Sequence, residues 1–282
     1  MTTVSNQSFD EERAFYAAKD LVLQDCRFEG PADGESALKE ATNIKVDGCF
    51  MNLRYPFWHD DHLKIYNTTL TENCRAALWY SKSIEIADCT LNGIKAVREC
   101  DHIRIKDTEI KSPEFGWSSH HLMMDHVNAV SEYFLMRTHH LDLRNVTLQG
   151  KYSFQYVKNA MLENCTLDTK DCLWHAKNVV VRNCVVKGEY LAWYSEDIVF
   201  DHCKIIGTQP LCYCKNLTLI DCEMVDTDLS FERSEVDATL TSPIESIKNP
   251  LSGTITVPYA NQVIMDLDEA KGVVIETEKQ QD

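Results

Sequence analysis

From Ile84 onward a short apolar pattern returns every 19 residues, and that interval restricts the chain to very few architectures. Each segment reads apolar-x-apolar-x-Asn/Asp/His-Cys/Thr-x-apolar, as in IEIADCTL from Ile84, AMLENCTL from Ala160, VVVRNCVV from Val179 and LTLIDCEM from Leu217. Earlier members begin at Leu21, Ile44 and Leu63, separated by steps of 23, 19 and 21, so insertions fall in the first repeats. The register continues weakly at Val236 and Ile255. Each repeat holds three short alternating or β-branched runs and no helical periodicity, which makes it one coil of short strands separated by turns. A leucine-rich repeat is the rival at this period, but its Leu-x-x-Leu-x-Leu spacing is absent. The expected fold is an all-β, right-handed parallel β-helix of about 11–12 coils of about 19 residues.

In such a helix equivalent positions on successive coils stack about 4.8 Å apart, so a column of the sequence becomes a physical ladder. Counting the first residue of a coil as zero, positions 0, 2, 5 and 7 are apolar or small and should face inward. Position 4 carries Asp25, Asn67, Asp88, Asp107, Asn145, Asn164, Asn183 and Asp221, residues that tolerate the left-handed conformation of a tight bend. Position 5 holds Cys26, Cys49, Cys89, Cys165, Cys184, Cys203 and Cys222. A line of small buried thiols suits the core of a reduced protein better than a tetrahedral zinc site or disulfides.

The ends depart from this pattern. Residues 1–20 are expected to form an N-terminal cap, in which FDEERAFYAAK from Phe9 has the acidic start and basic end of a short helix. Residues 21–235 form the coils, and 236–282 form degenerate coils and a C-terminal cap of the same single domain. The first twenty residues contain no basic start followed by an apolar run, and no stretch reaches the roughly 18 apolar residues of a membrane helix, so a cytoplasmic address is expected without membrane contact. The formal net charge of -16 argues against nucleic acid as a partner.

The strings GPADGESALKEAT from Gly30, RYPFWH from Arg54, RAALWYS from Arg75, EFGW from Glu114, GKYSFQY from Gly150, GEYLAWYS from Gly188 and GTQPLCYC from Gly207 resemble the bacterial family labelled domain of unknown function 3737. The resemblance runs over nearly the whole chain and implies a pectate-lyase-like β-helix with no established activity. The Asn/Asp column is similar to the asparagine ladder of that fold. Its relatives by fold include polysaccharide enzymes, whose substrate lies on the third strand of the coil; this is an analogy of fold only.

That third run, at positions 11 to 16, differs from the other two. Position 13 is apolar (Leu38, Phe57, Leu78, Val97, Leu135, Phe154, Leu173 and Leu211), which points it inward. Position 14 then points outward, and it carries all five tryptophans, Trp58, Trp79, Trp117, Trp174 and Trp193, with Lys39, Arg98 and Gln155 interspersed. Position 15 adds His59, Tyr80, Glu99, Arg137, Tyr156, His175, Tyr194, Tyr213 and Glu232. Stacked aromatics with interleaved polar groups suit a saccharide, and Trp58, Trp79, Arg98, Trp117, Trp174, Trp193, Tyr194 and Tyr213 are the candidate binding residues. If a bulge shifts the parity, the tryptophans are core filling instead.

For catalysis the candidates are Asp171, His175, Glu189, Arg137, Tyr156 and Glu99. Asp171 and Glu189 could form the acid and base of a glycoside hydrolase-like reaction. In a polysaccharide lyase, Arg137, His175 or Tyr156 would take the proton and Arg98 would neutralise a uronate. The expected ligand is an oligosaccharide or uronide, without a cofactor. His102, His121 and His140 end three successive coils, a ladder able to bind a transition metal, yet Asn159, Asn178, Asp197 and Asn216 fill the same column elsewhere. They are therefore read as turn residues, with no metal assigned. The alternative to an enzyme or binding protein is a β-helix scaffold using the aromatic face for a protein partner or for homo-oligomerisation.

Overall fold

A computed structural model describes residues 1–278 and divides the chain into two compact units, Met1–Asp142 and Leu143–Asp282. Both are parallel β-solenoids. In the first unit the opening strands of successive coils pair in parallel through Thr2↔Leu21, Leu21↔Ile44, Ile44↔Leu63, Leu63↔Ile84, Ile84↔Ile103 and Ile103↔Leu122. In the second the same ladder runs Ala160↔Val179↔Ile198↔Leu217↔Val236. The chain register read from the repeat is therefore the hydrogen-bonding register.

Positions 0, 2, 5 and 7 are the core, as Ile84, Ile86, Cys89 and Leu91 or Val179, Val181, Cys184 and Val186 show by their burial. All twelve cysteines are free and buried. Burial pushes the Cys49 and Cys89 thiols up to about 11 and those of Cys74, Cys100, Cys212 and Cys214 to about 12, so these sulfurs stay protonated and act as small apolar side chains. The corners are columns of left-handed residues. One comprises Asn6, Asp25, Gly48, Asn67, Asp88, Asp107, His126, Asn145, Asn164, Asn183, His202 and Asp221; the other comprises Asp20, Asn43, His62, Ser83, His102, His121, His140, Asn159, Asn178, Asp197 and Asn216. Side-chain amides tie the second column along the stack, with Asn178 Nδ2 donating to Asn159 Oδ1 at 2.7 Å and Asn216 Nδ2 to Asp197 Oδ1 at 2.8 Å.

No helix is present among the described residues, and none is long and apolar enough to cross a membrane. The helix expected over Phe9–Lys19 is replaced by the end of an additional coil that begins at Thr2. Its backbone N–H groups reach the following coil rather than four residues back, as Arg13 donates to Glu35 O, Phe15 to Ala37 O and Ala17 to Lys39 O. A helix of this length is marginal alone in water, whereas a coil gains a neighbour's carbonyls and lays Phe9 and Phe15 over Phe28. At the other end the register continues past the sequence consensus, through Ala238↔Ile255 and Ile255↔Val274, with an extra pairing of Ile244–Lys248 against Ala260–Ile264.

At Gly188 and Gly207, where the second side of a coil turns into the third, tight stacking leaves no room for a side chain. Gly207 has φ +129°, and a Cβ there would lie 2.4 Å from the carbonyl oxygen of Gly188. Both the backbone conformation and the space exclude larger residues. Gly207→Ala should therefore lower the unfolding free energy by about 1–3 kcal/mol in urea titration; an unchanged midpoint would show that this bend relaxes freely.

Candidate functional site

The third side of the coil is where the two units depart from ordinary β geometry. In the first unit it contains the two-residue strands Phe57–Trp58, Leu78–Trp79 and Val97–Arg98, each between left-handed residues such as Tyr55 and His59. In the second unit every other residue is left-handed: Asp171, Leu173 and His175, then Tyr190, Ala192 and Tyr194, then Gln209, Leu211 and Tyr213. The N–H groups of Asp171 and His175 donate forward to Glu189 O and Trp193 O, while that of Leu173 donates back to Ser153 O. These bonds to both neighbours offset the roughly 1 kcal/mol that a left-handed L-residue costs.

Position 13 is buried as expected, and the tryptophans beside it are half-buried rather than projecting. Their indole N–H groups are committed to the backbone of the next coil. Trp58 donates to Ala76 O and Trp117 to Tyr133 O, both at 2.6 Å; Trp174 donates to Tyr190 O at 2.6 Å and Trp193 to Gln209 O at 2.7 Å. Gln155 makes the same reach, its amide donating to Asp171 O at 3.1 Å. Trp79 differs, its buried Nε1 having no hydrogen-bond partner, and Arg98 lies over its ring at 5.1 Å and over Trp117 at 5.2 Å. Arg98 also contacts Glu99 at 3.3 Å and Glu114 at 3.7 Å, so its charge is already matched. This column fastens coils together.

Position 15 is the outermost row. In the second unit Tyr156, His175, Tyr194 and Tyr213 stack in sequence at centroid separations of 5.0, 5.2 and 4.8 Å, with ring planes within 12° of parallel. Tyr156 and Tyr194 are 41% and 49% exposed, enough to present their edges to solvent. The ring faces are occupied by one another, so the row offers hydroxyl and imidazole tips at regular spacing. Burial and the neighbouring Glu232 carboxylate raise the Tyr213 phenol, which stays neutral. In the first unit the corresponding stack is His59 over Tyr80 at 5.1 Å, while Glu99 is drawn to Arg98 and Arg137 is exposed.

Asp171 is 8% exposed. Burial raises its carboxyl above the usual carboxylate range; Lys170 opposes this and Glu189 adds to it. The Asp171 N–H donates to the Glu189 carbonyl at 2.9 Å, so the pair singled out from the sequence shares one edge of this face with the aromatic row. Sequence reading did not single out Asp60. Its Oδ1 accepts the Ala41 N–H at 2.9 Å, its Oδ2 has no partner, and burial pushes the carboxyl up to about 8 against the lowering effect of that N–H. Only its neighbours across coils reveal this, because Asp60 lies within a column of small residues such as Ser81, Cys100 and Ser119.

The folded-state pKa of Asp60 is raised above the unfolded value, so the folded protein binds the extra proton and stability falls as pH rises from about 4 to about 8. Asp60→Asn should remove that slope and, at pH 8.5, raise the unfolding free energy by about 1–2 kcal/mol. Parallel pH-dependent unfolding curves for the two proteins would contradict this assignment.

The strand pairing and columns define a parallel β-solenoid protein that carries stacked aromatic rings on the third side of its coils. The chain belongs to the family described as Protein of unknown function (DUF3737), whose pattern covers residues 2–277. No curated protein matches it. Among solved structures it is similar to the A-module of the mannuronan C-5 epimerase AlgE4 of Azotobacter vinelandii, with 8% identity and a TM-score of 0.39 over 86% of this chain and 91% of that one. It is also similar to the periplasmic alginate epimerase AlgG, with 9% identity and a TM-score of 0.28 over 93% of this chain and 73% of that one.

Proposed function

We propose that this protein binds a neutral, extended oligosaccharide along the row Tyr156–His175–Tyr194–Tyr213. The carrying observation is the solvent-edged ladder of rings whose centroids lie 4.8–5.2 Å apart, a spacing commensurate with successive pyranose rings of an extended glycan. Hydrogen bonding to sugar hydroxyls suits phenol and imidazole edges whose faces are already stacked. The net charge of -16 and the Glu189 side chain beside the row favour a neutral ligand over a uronide. The paired Arg98 is a poor partner for a uronate, which disfavours the lyase reading. In a hydrolytic version, Asp171, whose carboxyl is raised by burial, is the proton donor and Glu189 is the second carboxyl group. The twelve free, buried thiols fit a reducing cytoplasm.

The test is a screen of neutral and uronide oligosaccharides by calorimetry. A neutral glycan should bind, and His175→Ala and Tyr194→Ala should each weaken it about tenfold. Trp174→Phe and Trp193→Phe remove the N–H bonded to the next coil together with one ring of the indole, so they should lower the melting temperature and change affinity less than the position-15 variants do. Binding that survives both position-15 changes, or no glycan bound at millimolar concentration, would rule the reading out.

A second reading, self-association, is favoured by the strand Val273–Glu276, which pairs on one side with Thr254–Val257 and exposes Val273 and Ile275 at 53% and 47%. Among the described residues the other edge of this strand has no partner, and an apolar strand edge invites another strand. If this edge joins chains, light scattering should show oligomers that Ile275→Lys converts to monomers; a monomer at all concentrations removes the idea.

A further inference from the structure

Six of the ten histidines, His62, His102, His120, His121, His139 and His140, belong to one region of the unit Met1–Asp142. Three of them form a stack, with His102 and His121 centroids 4.5 Å apart and His121 and His140 4.8 Å apart. Asp101 sits against the first two. Its Oδ2 is 3.0 Å from His102 Nδ1 and its Oδ1 is 2.8 Å from His121 Nδ1. Ligand atoms of Asp101, His102 and His121 all lie within 4.8 Å of one another. The corner itself does not require imidazole, since Asn43, Asn159, Asn178 and Asn216 hold the same left-handed bend on other coils.

A carboxylate shared by two Nδ1 atoms selects the tautomer with Nδ1–H donating to Asp101, which leaves both Nε2 lone pairs as ligands. The three stacked histidines line a surface cavity of about 480 Å³ together with His62, Lys64 and Arg104. Lys64 is drawn toward Glu85 at 3.7 Å.

We propose that this corner binds a late first-row divalent cation, exemplified by Zn²⁺, through Nε2 of His102 and His121, with Asp101 as the carboxylate that orients both rings. Nitrogen ligands favour such ions over Mg²⁺ or Ca²⁺. Zinc–nitrogen bonds of about 2.0–2.1 Å bring two tetrahedral ligands to about 3.4 Å, and because each Nε2 lone pair lies in its ring plane, the two stacked rings turn toward each other at their Nε2 edges to share the ion. The side chains of His102 and His121 are 65% and 47% exposed, and that tilt is open to them. The remaining coordination positions face the cavity and take water or an anion, for which Arg104 is the nearby cation.

The experiment is calorimetric titration of the untagged full chain with Zn²⁺ at pH 7.5, alongside Co²⁺ absorption spectroscopy. One ion per chain should bind with a dissociation constant of about 1–10 μM. Asp101→Asn should weaken it about 10–100-fold. The double change His102→Asn with His121→Asn should abolish it while preserving the fold, because asparagine already serves this corner on other coils; His202→Asn should leave it unchanged. Absence of saturable Zn²⁺ binding by the unaltered chain, absence of nitrogen-coordinated Co²⁺ bands, or undiminished binding by the folded double variant would each overturn the site.

Discussion

In-register hydrogen bonding between successive coils is the constraint on which everything else rests. A coil such as the one beginning at Ile84 has no internal partner for its backbone; Ile84 pairs with Leu63 on one side and Ile103 on the other. Buried backbone groups must be paired, so each coil is stable only between neighbours whose strands match its own, and the longer early coils place their extra residues outside the paired strands. Once the register is set, like side chains stack on like. The inward cysteine, isoleucine and leucine columns then form one continuous core within each unit.

The corners follow from closing a coil in about 19 residues. Asparagine, aspartate and histidine accept the left-handed bend, and Asn178 Nδ2 to Asn159 Oδ1 shows how their side chains bond along the stack. On the third side the alternation of left-handed residues sends successive N–H groups to opposite neighbours. The carbonyls at position 11 of the next coil are met by side chains from position 14, which explains why tryptophan and Gln155 are interchangeable there. The large indole column is thereby a fastening, and the outward chemistry passes to position 15.

The period and the four inward columns were legible because the step is strict from Ile84 and the cysteines mark it. The first coil was not. Thr2 and Val4 carry no consensus cysteine, while the acidic start and basic end of Phe9–Lys19 imitate a capped helix. The balance tips to a coil because Leu21–Gln24 supplies an unpaired edge that Thr2–Ser5 satisfies. The role of the tryptophans was only half legible, since period-two alternation assumes extended residues and Leu173 or Ala192 is left-handed. Asp60 and the tie of Asp101 to His121 could not be read at all. Their meaning comes from contacts across coils, 19 to 21 residues away, and the repeat shows which positions stack without showing which side chains meet.

Stacking also dictates the form that function can take. A side chain at a given position recurs one coil away at about 5 Å, so groups gather in rows, not in enclosed pockets. Such a row suits a ligand that itself repeats, or an ion small enough to lie between two rungs. The two regions fit those two cases. Tyr156 to Tyr213 offer four like-spaced tips, whereas His102 and His121 offer two rings with a carboxylate between their Nδ1 atoms. Neither arrangement disturbs the core, because both occupy outer positions whose backbone duty is met by other residues elsewhere in the same columns. Freedom of side-chain identity at a fixed backbone position is what allows one repeat to hold two different sets of outer side chains.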